Sequence, residues 1–118
     1  KEDIYVGWWY KNKVFKPGVI PPSDVAAYVE AFARPGRMDA AFDYCRNIVL
    51  DMQFNASHFK EKLPMRLLAV GGDRSIPTMG ESLKPYFQRT TSLVVPDCGH
   101  FVPEEQPGAL AKALLAFL

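Results

Sequence analysis

The residue best placed to do chemistry is His100, in the stretch Val94 to Pro107, VVPDCGHFVPEEQP. Imidazole takes up and releases a proton near neutral pH, with an unperturbed pKa of about 6.5, so it suits general acid–base work. Gly99 before it permits a tight turn, and Pro107 can open a final helix. This spacing predicts His100 just beyond the C-terminal end of a strand, where open α/β sheets place their ligands. A Gly-His pair alone more often marks a loop histidine with a local hydrogen bond. His58 has no partner at metal-ligand spacing and reads as an ordinary surface or core residue. Cys45 and Cys98 form no CxxC pair and read as reduced thiols.

The elements that must position His100 follow from periodicity. Residues 4–10 (IYVGWWY) suit a short helix end, although periodicity leaves a strand open. Phe15 to Pro22, with its three prolines and a glycine, is a loop. Ser23 is the expected N-cap of a helix carrying Val25, Tyr28, Val29 and Phe32 on one face, ended by Arg34-Pro35-Gly36. A second helix starts near Arg37, places Phe42, Cys45, Val49 and Met52 on one face, and runs to about Lys60 with a possible break. Leu63-Pro64 reads as a breaker. Arg66 to Val70 (RLLAV) and Ser92 to Val95 (SLVV) lack alternation, as in parallel strands covered on both faces. Met79, Leu83, Tyr86 and Phe87 mark a short helix between them. The last segment sets Leu110, Ala113, Leu114, Phe117 and Leu118 on one stripe.

The expected fold class is therefore α/β, a helical segment over residues 1–62 followed by a β-α-β-α segment over 63–118. Two parallel strands joined by one helix do not make a stable sheet. Partners are expected from a missing N-terminal half, a second chain or an exchanged copy. The opening Lys1-Glu2-Asp3, running straight into an apolar stretch, also reads as a start inside an element.

Composition narrows the function classes. Hydrophobic residues make up 48% and charged residues 23% of the 118, with a formal charge of +1. That balance gives no reason to expect nucleic acid or an anionic membrane as partner. No apolar run approaches the ~20 residues that span a bilayer, and no targeting signal is evident, so the cytoplasm is the default expectation. The Asn55-Ala56-Ser57 sequon falls in an expected helix and carries little meaning.

Strand, then Pro-x-Cys-Gly-His-Phe-x-Pro-Glu-Glu-x-Pro, then an amphipathic helix ending Ala-Phe-Leu, resembles the C-terminal segment of α/β-hydrolases, in particular their epoxide hydrolase and haloacetate dehalogenase branch. LPMRLLAVGG at 63–72 resembles the penultimate core strand of that branch, and DVAAYVEAFARPGRMDAAFDYCR at 24–46 is similar to its helical cap. The resemblance makes residues 1–62 a cap segment and 63–118 the C-terminal part of the core.

The resemblance implies roles residue by residue. His100 is the general base, activating water to hydrolyse an ester between substrate and a nucleophile outside this chain. Glu104 and Glu105 match the family's Glu-Glu and read as structural acids favoured by a following helix dipole. Asp73 is the only carboxylate in the loop GGDRS and so the candidate orienting acid, although the usual position one residue later holds Arg74. Some members with a Gly-Gly loop carry that acid on the preceding core strand instead. Otherwise Asp73 stabilises its own turn. Cap tyrosines of the family hydrogen-bond and protonate the epoxide oxygen. The matching place before Arg46 holds Cys45, so Cys45 and the adjacent Tyr44 are the candidate substrate-binding residues, a departure that puts epoxide opening in doubt. Trp8 and Trp9 read as packing residues before pocket walls.

The expected function is a hydrolase acting on an epoxide, haloacid or ester, with no cofactor or metal. The strand-to-helix nucleophile turn and the His-Gly-x-Pro oxyanion loop do not occur in these residues. Because such groups act as a unit, the 118-residue chain alone is expected to be inactive. The alternative is a non-catalytic, hydrolase-like fragment that acts as an interaction or assembly module.

Overall fold

The run RLLAV lies at the centre of a ten-residue strand, β1 (Leu63–Gly72), and SLVV ends a second, β2 (Phe87–Val95). In the computed structural model, which describes residues 1–118, the two pair in parallel, with Leu67 opposite Thr90, Ala69 opposite Ser92 and Gly72 opposite Val95. Both strands are longer than the apolar runs alone predict. Pro64 does not break β1. It lacks an N–H and is tolerated where the register slips between Leu63 and Arg66.

Three helices precede the sheet: α1 (Glu2–Asn12), α2 (Pro22–Ala33) and α3 (Arg37–His58). The start of α2 differs from expectation. Pro21 holds the N-cap and Pro22 the first helical position, where a missing N–H costs nothing. Ser23 is therefore inside the first turn, with its hydroxyl donating to Asp24. Val25, Tyr28, Val29 and Phe32 form the half-buried face of α2 as their spacing predicts. α3 is one unbroken helix, and none of its residues is buried.

After β1, α4 (Met79–Leu83) packs on both strands. It is shorter than expected, because Phe87 already belongs to β2. A single turn, α5 (Val102–Glu105), and the final α6 (Pro107–Phe117) follow. On α6, Leu110, Ala113 and Phe117 are half-buried, whereas Leu114 and Leu118 of the same predicted stripe are exposed.

The core is small. Val95, Cys98 and Val102 form its buried centre, with Val70, Leu93, Ala109 and Leu110 packed around them. Only 10 of 118 residues are buried. The radius of gyration of 16.5 Å exceeds the about 13.5 Å expected of a compact chain this long. Much apolar surface, including Ile48, Leu50 and Phe54 of α3, faces outward. No helix is long and apolar enough to cross a membrane.

Candidate functional site

β2 ends at Val95, and the loop that follows carries His100. Asp97 takes a left-handed conformation there, with φ 51°, which aspartate tolerates better than most residues. The same loop approaches two other segments closely. A Cβ on Gly72 would fall against the carbonyl oxygens of Cys98 and Gly99, and one on Gly99 would meet the Lys13 carbonyl and the Phe15 nitrogen. Glycine at these two positions lets the end of β1 and the segment after α1 both touch the histidine loop.

Hydrogen bonds fix these approaches. The His100 N–H donates to the Lys13 carbonyl at 2.8 Å. Glu105 Oε2 accepts from the Phe15 N–H at 2.7 Å and the Gly99 N–H at 2.9 Å, and Oε1 accepts from the Phe101 N–H at 3.0 Å. Glu104 accepts the Tyr28 hydroxyl proton. This hydrogen bond, with some desolvation, pushes the Tyr28 phenol up to about 12. Both carboxylates are thus engaged by hydrogen-bond donors, some of them on distant segments.

The loop after β1 lies alongside. Its Asp73 N–H donates to the Val95 carbonyl and its Arg74 N–H to the Cys98 carbonyl, each at 3.0 Å. The Asp73 carboxylate accepts from the Cys98 N–H at 3.1 Å, and Arg74 Nε stands 3.8 Å from it. The Cys98 N–H, followed by that of Asp97 and by Arg74, holds the Asp73 carboxyl below the usual carboxylate range. Asp73 and His100 share no hydrogen bond. The side chain on His100 Nδ1 is that of Ser75, whose Oγ is 3.3 Å away.

The exposed ring of His100 borders a cavity of about 380 Å³ enclosed by α1, α2 and α3. Tyr44 and Cys45 of α3 and Trp9 and Tyr10 of α1 line it, so three of the four candidate site residues share one space. Its walls include no lysine, arginine, aspartate or glutamate. Trp9 lies 5.9 Å from the His100 ring, centroid to centroid, while Trp8 is half exposed with an edge against Trp9. Tyr10 stacks on both Tyr28 and Phe101, and burial raises its phenol pKa. Trp9, read from sequence as packing before pocket wall, lines the cavity, and Tyr5 and Tyr10 join it without standing out in the sequence, as does Ser75 beside the ring. The pairs Tyr5/Trp9 and Val6/Tyr10, four residues apart, place one face of α1 toward the cavity, which was the available signal.

Both cysteines are free. Cys98 is fully buried, and burial raises its thiol pKa. No group of three His, Cys, Asp or Glu side chains converges as a metal-binding cluster, and His58 is stacked on Phe54 at the end of α3.

No family model matches the chain. It is 25% identical over 103 residues to a soluble epoxide hydrolase of a Corynebacterium species, covering 87% of this chain and 36% of that relative. Cfl2 of Burkholderia cenocepacia superposes with a TM-score of 0.91 at 33% identity, over 98% of this chain and 40% of its own. The epoxide hydrolase CorEH superposes with a TM-score of 0.92 at 23% identity, over 99% and 42% respectively. The chain thus has the fold of the C-terminal part of an α/β-hydrolase, and the likeness to the epoxide hydrolase branch read from its motifs is found again in a whole-chain comparison. It spans well under half the length of each of these relatives.

Proposed function

We propose that this α/β-hydrolase-fold chain, similar to epoxide hydrolases, carries the catalytic histidine and part of the cap of such an enzyme, with the nucleophile outside it. Residues 1–62 are the cap segment and 63–118 the C-terminal part of the core. The observation that carries the reading is the single cavity shared by His100 with Tyr44 and Cys45.

In the reaction proposed, a carboxylate nucleophile attacks an epoxide carbon and the ring C–O bond breaks. An ester forms, and a cap hydroxyl, Tyr44 in this reading, gives a proton to the oxygen released. Water then adds to the ester carbonyl carbon while His100 takes its proton. The acyl C–O bond breaks, the diol oxygen takes the proton from His100, and the proton left on the carboxyl returns by way of water to the Tyr44 phenolate, restoring both groups. Nε2 is the nitrogen that takes water's proton in this reading, and Nδ1, 3.3 Å from Ser75 Oγ, is the one left for the orienting acid. Asp73 is already engaged with the Cys98 N–H, so the orienting acid is proposed to come from the core outside this chain. Asp73 itself locks the two loops together.

Nine of the ten residues that this chain contributes to the cavity lining are aromatic or otherwise hydrophobic, which suits an apolar epoxide substituent. The test is His100→Gln in the full-length protein, with styrene oxide as probe. The expected result is a stoichiometric burst of ring opening and a trapped ester detectable by mass. Steady turnover by this variant at the wild-type rate would remove His100 from the mechanism.

The second reading, an interaction or assembly module, draws support from the two-stranded sheet and the uncovered α3. Edge strands can pair with other chains. Mass in solution separates the two readings: a complex sealing the sheet edge favours assembly. The 118-residue chain alone is expected to turn over no epoxide or ester.

A further inference from the structure

We infer that Glu105 is a positioning residue for His100, clamping the catalytic loop to the cap segment through its carboxylate. This rests on His100 being the base, as proposed above. Three backbone N–H groups converge on the two oxygens of Glu105. Two belong to Gly99 and Phe101, the residues on either side of His100. The third belongs to Phe15, in the segment after α1. Two positions earlier in that segment, Lys13 accepts the N–H of His100 itself. The histidine is therefore gripped on both sides by one carboxylate and tied at its own nitrogen to the strip that the carboxylate also holds.

A helix-dipole role would not need this arrangement. An acid that only complements a helix start acts through the dipole's field and needs no specific donors on distant segments. Glu105 instead gives both oxygens to amides from two distant parts of the chain, and charge-assisted bonds of that kind are strong and directional. Gly99 strengthens the case, because any side chain there would collide with Lys13, Phe15 and Glu105 together. Glu104 adds a second tie through Tyr28 of α2.

Chemistry separates the substitutions. In Glu105→Gln one oxygen becomes an NH2, which cannot accept and faces an amide donor. Glu105→Asp keeps the charge but falls short of spanning all three donors. A base misplaced by about 1 Å slows its step roughly 100-fold. His100 acts only in ester hydrolysis, so loss of its position should slow that half-reaction and leave ring opening intact.

The experiment compares wild type, His100→Gln, Glu105→Gln, Glu105→Asp and Glu105→Ala in the full-length protein with styrene oxide. Single-turnover mass measurement follows the ester, and steady-state kinetics follow kcat and KM. The expected result is ester accumulation in the Glu105 variants as in His100→Gln, hydrolysis slowed by roughly 10- to 100-fold, and kcat and KM falling together. Glu105→Asp should retain the most activity. Should Glu105→Ala not fold, Glu105→Gln, of the same shape, carries the test. Glu105 variants that lose only folded enzyme, with unchanged KM and no ester, overturn the clamp while His100→Gln still accumulates ester. If His100→Gln accumulates none either, the base assignment and the clamp fall together.

Discussion

Ser75 Oγ sits 3.3 Å from Nδ1 of His100, across the groove between the loops that end β1 and β2. A hydroxyl there restrains the ring's rotation. Such a hydrogen bond is worth about 0.5–1.5 kcal/mol net. Ser75→Ala should therefore slow ester hydrolysis by roughly 3- to 10-fold, and Ser75→Thr should restore most of the rate. Single-turnover kinetics of the full-length protein check this, and an unchanged rate in Ser75→Ala would show the contact to be idle.

Asp73 yields a prediction in pH. Its carboxyl is held below the usual range by the Cys98 N–H, aided by that of Asp97 and by Arg74. A depressed folded-state pKa contributes stability that is present above the unfolded value, about 4. That stability is lost as pH falls through the folded value. Thermal melts should show an acid-side loss in wild type that is flatter in Asp73→Asn, with the variant less stable at neutral pH. Replacing an orienting acid lowers kcat by about 10⁴, so a loss within about 10-fold in Asp73→Asn places the triad acid elsewhere.

Tyr28 should report its bond to Glu104 by titration. The phenol is pushed up to about 12, so the contribution is intact below the ordinary phenol value of about 10. It disappears as pH rises through the folded value. Phenolate absorbance should reveal two late-titrating tyrosines, Tyr28 and the half-buried Tyr10, of which Tyr28 returns toward the ordinary value in Glu104→Gln. A late phase that keeps its full two-tyrosine amplitude in Glu104→Gln would rule out that partner.

Tyr44 lines the same cavity as His100. Removing a proton donor that acts on ring opening costs about 10²-fold or more. Tyr44→Phe should slow ester formation by that order and leave ester hydrolysis alone. Equal loss in both half-reactions would point to a pocket-shape effect.

Gly99 and Gly72 should resist any side chain. Gly99→Ala forces a methyl against the Lys13 carbonyl and Phe15 nitrogen, an overpacking that costs about 1–3 kcal/mol. Chemical denaturation should show this for both Gly99→Ala and Gly72→Ala. Gly108→Ala, where a Cβ meets open space, is the control.

What the sequence makes legible follows periodicity. The unalternating runs RLLAV and SLVV announce parallel strands, and the two do pair in parallel. The face Val25, Tyr28, Val29, Phe32 announces the packed side of α2. The strand extensions at Leu63 and Phe87 escape notice because Leu63-Pro64 reads as a breaker and Phe87 as part of the short helix, while tertiary pairing decides the backbone. At the site, His100 stands out by its turn and its strand. Ser75, Trp9 and the donors on Glu105 do not, since each is defined by a neighbour distant in the chain. α3 shows the converse: Val49 and Met52 share the predicted apolar face, yet both are exposed because nothing in the chain packs over them.

The bond between Phe15 and Glu105 joins residues 90 positions apart. Contacts of such separation form late in folding, after the loop-closure entropy has been met. The lock on His100 cannot close until Glu105 has been synthesised and Phe15 has found it. Weakening that lock should therefore hasten unfolding far more than it delays folding. The lifetime of a correctly set histidine is in this sense governed by one of the last contacts to close.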